Sequence, residues 1–116
     1  MNRLIKLFIS ILVLFGLSTG ILHAQKRTIA VMTPFLAQPG TQLMVEAFET
    51  AAKAKSWEVN VIDTSGDVAA LVSRMEDVSL QKVDAIVINV DPSQIKTGLI
   101  AAKDAGIPVF GMDSGN

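Results

Sequence analysis

Four short apolar runs, separated by longer segments with helical spacing, constrain this chain more than any other feature. They are TIAVM from Thr28, EVNVI from Glu58, AIVIN from Ala85 and PVFGM from Pro108. Runs this short and this rich in Val and Ile suit strands covered on both faces, as in a parallel sheet. In the first intervening segment Leu43, Met44, Ala47, Phe48, Ala51 and Ala52 recur every three or four residues. That predicts one apolar stripe against a sheet, with Glu46, Glu49 and Lys53 facing outward. The second follows Asp67, a candidate cap, and its stripe is Val68, Leu71, Val72, Met75 and Val78. The third opens DPSQ, with Asp91 suited to the N-cap, Pro92 to the first helical position and Gln94 to a capping box. It closes at DAGIP, where Gly106 suits a left-handed C-cap and Pro108 bars continuation. Strand and helix alternating through short joints require right-handed crossovers. The predicted fold class is therefore α/β, a three-layer α/β/α Rossmann-like parallel sheet.

Residues 1–24 stand apart from this pattern. Arg3 and Lys6 precede an 11-residue apolar run, LFISILVLFGL, and small residues follow up to Ala24. This is the order of a secretory signal peptide, and the run falls short of the roughly 20 residues that a membrane span needs. Cleavage is expected after Ala24, with STG at 18–20 as a second candidate site and an uncleaved N-terminal anchor as the alternative. The chain has no cysteine, so neither a lipid-modified cysteine nor a disulfide is available. A free periplasmic protein is the expectation. With Arg3 and Lys6 removed, 8 Lys and Arg remain against 11 Asp and Glu, a formal net charge of −3. A nucleic-acid partner is not indicated by that balance. Residues 25–116 are enough for one domain or part of one.

In a parallel sheet the ligand lies at the carboxyl ends of the strands, where loops of different strands converge. That narrows the search to TPFLAQPGT (33–41), DTSGD (63–67), NVDPS (89–93) and DSGN (113–116). No G-x-G-x-x-G follows the first strand, and neither a G-x-x-x-x-G-K-[ST] loop nor a G-x-S-x-G elbow is present. The single histidine, His23, lies in the leader, which removes Ser-His and Cys-His mechanisms and a histidine-built zinc site from the rest. Thr33 and Pro34 offer no acid pair for a magnesium or phosphoacceptor pocket. No catalytic set, metal or cofactor is therefore expected.

Among polar residues at strand ends, Asp63 reads as a turn former bonding its own backbone and Asp91 as a helix cap. Asp113 is claimed by no evident helix or turn, and a carboxylate at a strand tip can accept from two adjacent hydroxyls of a sugar or polyol. Capping a following helix is its alternative role. Asn89 offers a donor and an acceptor at the third strand end, and Gln38 does so in the first loop; bonding to loop backbone is the competing reading for each. Phe35 can stack on a sugar face or pack under its loop. Trp57, at a helix-to-strand joint on the opposite rim, reads as structural.

These residues carry a resemblance. The leader, VDAIVIN running into DP, the stretch A..AGIPV and an Asp directly after the fourth strand together resemble the N-terminal lobe of a type I periplasmic binding protein of the ribose-binding class. The resemblance implies a two-lobed, hinged protein that closes on a sugar or polyol and delivers it to an ABC transporter permease, with a chemoreceptor as a further partner. It implies binding and not enzymatic activity. Asn89 and Asp113 match the family's Asn and Asp, and Gln38 before Pro39 stands where the family usually has Asn before Pro. Gly40 and Thr41 replace the two ring-clamping aromatics of ribose-binding members, which leaves Phe35 as the substitute. Ser114 takes the place of an Arg that often follows the Asp, so it joins the implied ligand set without that fork of donors. A sugar, polyol or small polar solute other than ribose is implied. Members of the family carry further strands and a second lobe beyond the fourth strand, so residues 25–116 are expected to be a partial N-terminal lobe and the sequence a fragment. The rivals are the extracellular sensing module of a signalling receptor and an exported Rossmann-like enzyme. The downstream part of a longer reading frame would separate them: a second lobe for the binding protein, a transmembrane helix with a kinase or cyclase for the sensor.

Overall fold

The computed structural model describes residues 25–112. The predicted signal peptide, Asp113 and Ser114 lie outside the described residues. The element order is β1 (Thr28–Thr33), α1 (Pro39–Ala54), β2 (Glu58–Asp63), α2 (Val68–Leu80), β3 (Ala85–Ile88), a 3-10 turn (Pro92–Gln94), α3 (Lys96–Asp104) and β4 (Val109–Gly111). The four strands form one sheet in the order β2-β1-β3-β4, and every pairing is parallel.

Alternation along β1 divides the core in two, because successive side chains of a strand leave on opposite faces. Ala30 and Met32 join Leu71, Met75, Ile86, Ile88 and Ile95 on the face covered by α2 and α3. Ile29 and Val31 join Val45 and Val87 on the face covered by α1. Each fully buried Leu, Ile or Met contributes about 1.5–3 kcal/mol through the apolar area it removes from water. The sheet therefore forms the middle layer of an α/β/α sandwich.

Burial on both faces, expected for all four runs, holds for β1 and β3 only. β2 alternates between exposed and half-buried, and β4 exposes Phe110 and Gly111. Among the described residues β2 and β4 are the edges of the sheet, with a neighbour on one side only. The buried face of α1 is also turned from the stripe its sequence pattern predicts, taking in Thr41 and Val45, which lie outside that stripe. Thr41, Val45 and Ala52 are buried and Met44 and Phe48 half-buried, while Ala47, Ala51 and Leu43 are exposed, Leu43 at 67%. The side of α1 that carries Phe48 borders an apolar trench of about 450 Å³, whose lining includes Trp57, Val87, Phe110 and Met112. On α2, by contrast, Leu71, Met75 and Val78 are buried and Val68 and Val72 pack against the same core, as the spacing predicts.

Local signals settle most boundaries. Asp67 accepts from Ala70 N at 2.8 Å and caps α2. Asp63 accepts from Ser65 N at 2.9 Å, the self-bonding turn expected of it. At DPSQ the expected single helix is two pieces. Asp91 caps only the 3-10 turn, accepting from Ser93 N at 2.8 Å, and Gln94 donates its backbone N–H to Asp91 O. Among the described residues no capping-box bond from its side chain forms. Ile95 then leaves helical geometry (φ −123°, ψ 28°) with its side chain fully buried, which sets the direction of α3.

All three helices end in one way. Trp57 N donates to Ala52 O, Val83 N to Val78 O and Ile107 N to Ala102 O, each across a residue at positive φ: Ser56 (58°), Lys82 (56°) and Gly106 (72°). These are Schellman motifs. Ser56 and Lys82 bear the left-handed penalty that glycine avoids. Lys82→Gly is thus expected to raise stability by about 0.5–1 kcal/mol and Gly106→Ala to lower it by a similar amount, read from denaturant midpoints. A loss on Lys82→Gly would contradict the assignment.

Candidate functional site

The order β2-β1-β3-β4 makes β1 and β3 neighbours, so the loops leaving both strands open side by side. Between them lies a depression of about 380 Å³ lined by Phe35, Gln38, Gly40, Thr41, Met44, Asn89, Val90 and Asp91. Of the five residues singled out in the sequence, the structure brings Phe35, Gln38 and Asn89 together here. Asp113 and Ser114 follow β4 beyond the last described residue, Met112. Trp57 stands at the start of β2, packed against the α1-side core, as expected.

Each lining side chain has a local cause. Asn89 directly follows β3, and its backbone N–H continues the pairing by donating to Met32 O at 3.3 Å. It is 7% exposed, and its Oδ1 lies 3.4 Å from the fully buried Thr33 hydroxyl at the end of β1. The same hydroxyl accepts from Phe35 N at 3.0 Å, which turns the chain sharply after β1 and leaves the Phe35 ring half-buried. Gln38 occupies the N-cap of α1, with its N–H donating to Phe35 O at 2.9 Å, but its side chain caps nothing. The amide stays at the mouth of the depression, exposed.

Pro39 opens α1 without an N–H, and the first turn holds no acidic residue. The N–H groups of Gly40 and Thr41 therefore have no intrahelical acceptor and carry the positive end of the helix dipole into the depression. Gly40 has open space where a Cβ would stand, so nothing there demands glycine.

Asp91 also has a place in the depression that sequence reasoning does not find. Its sequence context assigns it to capping alone, and it does cap. Yet it also lines the depression, two residues beyond Asn89 in one loop, and that adjacency is the signal that could have found it. The Ser93 backbone N–H, and after it the Ser93 side chain, hold its carboxyl below the usual carboxylate range. An acceptor thus faces a site otherwise rich in donors. Such a mixture of amide, carboxylate, orphan N–H groups and one half-buried ring suits a neutral polyhydroxylated molecule. The larger apolar trench does not: its polar lining is Arg27 and Asp84, which bond each other at 3.3 Å. Among the described residues no cluster of His, Cys, Asp or Glu could hold a metal ion, and no helix is long and apolar enough to cross a membrane.

Comparison with known proteins adds the family. A family model described as a periplasmic binding protein domain matches residues 29–116. The ribose import binding protein RbsB of Bacillus subtilis (strain 168) is 32% identical over 87 residues, which cover 74% of this chain and 28% of the relative. Among solved structures, an ABC transporter solute-binding protein from Mycobacterium smegmatis with bound glycerol is 26% identical, with a TM-score of 0.71 over 77% of this chain and 31% of that one. One from Agrobacterium vitis with bound allitol is 26% identical, with a TM-score of 0.71 over 81% and 33%. Another from Actinobacillus succinogenes 130z with bound D-allose is 28% identical, with a TM-score of 0.67 over 76% and 32%. The chain thus spans less than a third of the curated relative's length, and these relatives are solute-binding proteins, not enzymes. On the strength of a match that runs from β1 to the last residue of the sequence, the chain belongs to the periplasmic binding protein domain family.

Proposed function

We propose that these residues form part of the periplasmic solute-binding component of an ABC importer, and that the depression after β1 and β3 is one wall of its sugar or polyol cleft. The observation that carries this reading is the convergence of Phe35, Gln38, Asn89 and Asp91 on one depression at the carboxyl ends of adjacent parallel strands. Relatives of the same fold are described with glycerol, allitol and D-allose bound, ligands whose common feature is a row of hydroxyls. In this reading Asn89 and Gln38 exchange hydrogen bonds with hydroxyls, and Phe35 lies against an apolar face of the ligand. Asp113 accepts from two adjacent hydroxyls and Ser114 adds a hydroxyl from the same loop. Residues 1–24 act as a cleaved signal peptide directing export to the periplasm, and residues 25–116 are a partial N-terminal lobe. The permease of the importer is the partner, with a chemoreceptor as a second.

Small-molecule sites bury about 70–90% of a ligand's surface. The depression is a single open wall, so a second lobe must close over it for tight binding. Calorimetry with D-allose, allitol and glycerol is expected to give dissociation constants no tighter than millimolar for the 116-residue chain. Micromolar binding would overturn the need for a second lobe. The same solutes should bind tightly to a full-length two-lobed protein built on this sequence, with Asp113→Ala abolishing the response. Full retention there would remove Asp113 from the site.

A further inference from the structure

Asn89 is nine-tenths buried, and among the described residues only the oxygen end of its amide has a partner. The Thr33 hydroxyl accepts the Phe35 N–H, so its own proton is free to be donated, and the Asn89 Oδ1 at 3.4 Å is the acceptor it meets. That bond fixes which way the amide faces, since turning it over would set Nδ2 against the hydroxyl and leave the hydroxyl proton without this acceptor. Asn89 Nδ2 makes no hydrogen bond among the described residues, yet it is not among the buried side-chain atoms left without a partner there. Asn89 lines the depression, which is where its remaining polar end has room for a partner. The same depression is lined by Gly40 and Thr41, whose N–H groups have no acceptor within α1.

We propose that Thr33 is a positioning residue for recognition: by holding Asn89 Oδ1 it commits Asn89 Nδ2 to the depression, where that amide and the first turn of α1 form a donor pocket for a ligand oxygen. This rests on the binding function proposed above and adds its polarity. The pocket takes an acceptor, such as a hydroxyl or ring oxygen of a neutral polyol or sugar, and rejects a group that can only donate. Thr33 and Asn89 are 56 residues apart in sequence and meet only because β1 and β3 are adjacent.

The test is nuclear magnetic resonance on the full chain. Thr33→Val keeps the shape and removes the hydroxyl, and Thr33→Ser keeps the hydroxyl. Each protein is titrated with D-allose, allitol and glycerol to concentrations well above the millimolar range, so that weak binding by this chain still registers, while the Asn89 side-chain NH2 resonances are followed. The native chain and Thr33→Ser should show these resonances moving with added probe. Thr33→Val should shift them before any probe is added and weaken the response by about tenfold, the effect of losing one hydrogen bond. Unchanged Asn89 resonances and an unchanged titration in Thr33→Val would overturn the proposal. If no probe moves any resonance in any variant, the sugar-binding reading fails, while a Thr33→Val shift at Asn89 alone would still uphold the positioning role. Should Thr33→Val not fold, the native chain decides: close proton contacts from Asn89 Nδ2 to the Thr33 hydroxyl would show the amide reversed and sink the proposal, and contacts to the first turn of α1 would support it.

Discussion

Ile86→Asp is expected to abolish cooperative unfolding at neutral pH. Ile86 is fully buried in β3, paired with Ala30 on one side and Val109 on the other. Its side chain belongs to the core under α2 and α3, with Leu71, Met75 and Ile88. Removing a buried isoleucine costs about 2–5 kcal/mol by itself. An aspartate there must also be ionised without a partner or protonated against its preference, because every Lys and Arg among the described residues is exposed. Burial raises the pKa of such a carboxyl. The penalty is therefore full above its raised folded pKa and shrinks as pH falls through that value toward the unfolded one. The two terms together rival the whole stability of an ordinary small domain, about 5–15 kcal/mol. Circular dichroism melts should show no transition at pH 7 and partial recovery in acid, while Ile86→Val loses only about 0.5–1.5 kcal/mol. A sharp neutral melt close to that of the native chain would refute the assigned core.

Gly98→Val should destabilise by about 2–3 kcal/mol, through a steric conflict between helices. A Cβ on Gly98 would lie 2.8 Å from Met75 Sδ and 3.0 Å from Met75 Cβ. The sulfur can swing aside, but the Cβ is anchored to α2, and Met75 is fully buried with little room to yield. Glycine at this position of α3 sacrifices helix propensity to let the two helices approach closely. Gly98→Ala should consequently lose less, since it regains about 1 kcal/mol of propensity while meeting the same neighbour. Adding Met75→Ala to Gly98→Val opens space, so the double variant should be more stable than the sum of its parts predicts. Equal or higher melting temperatures for both Gly98 variants would mean that the helices have freedom to separate.

The signals that sequence conveys correctly are those whose physics closes within a few residues. The Asp63 turn, the Asp67 cap, the α2 stripe and the left-handed Gly106 each involve contacts at most a turn or two apart. The segment at DPSQ misleads because a proline, a cap and a capping-box partner are compatible with a 3-10 turn as well as an α-helix. The buried Ile95 decides between them, and its burial is a tertiary fact. The left-handed ends at Ser56 and Lys82 carry no glycine to announce them. They follow from Trp57 and Val83 packing against the core immediately afterwards. The α1 stripe is misplaced in the sequence pattern, which omits the buried Val45, because sequence shows which residues are apolar and not which flank finds a neighbour.

The site divides in the same way. That a candidate site should lie after β1 and β3 is legible, because in a parallel sheet every loop that can converge leaves from a carboxyl end. Phe35, Gln38 and Asn89 can be named on that rule alone. Thr33 and the place of Asp91 in the depression cannot, since both depend on which strand lies beside which. By itself the sequence determined the alternation of strands and helices and their order, because hydrophobic period and caps are local. Only the tertiary structure decided that β1 and β3 are neighbours with β2 and β4 outside them, and hence which strands are buried and that the Thr33 hydroxyl meets the Asn89 amide. Those outcomes depend on contacts between residues far apart in the chain, for which a single sequence holds no local signal.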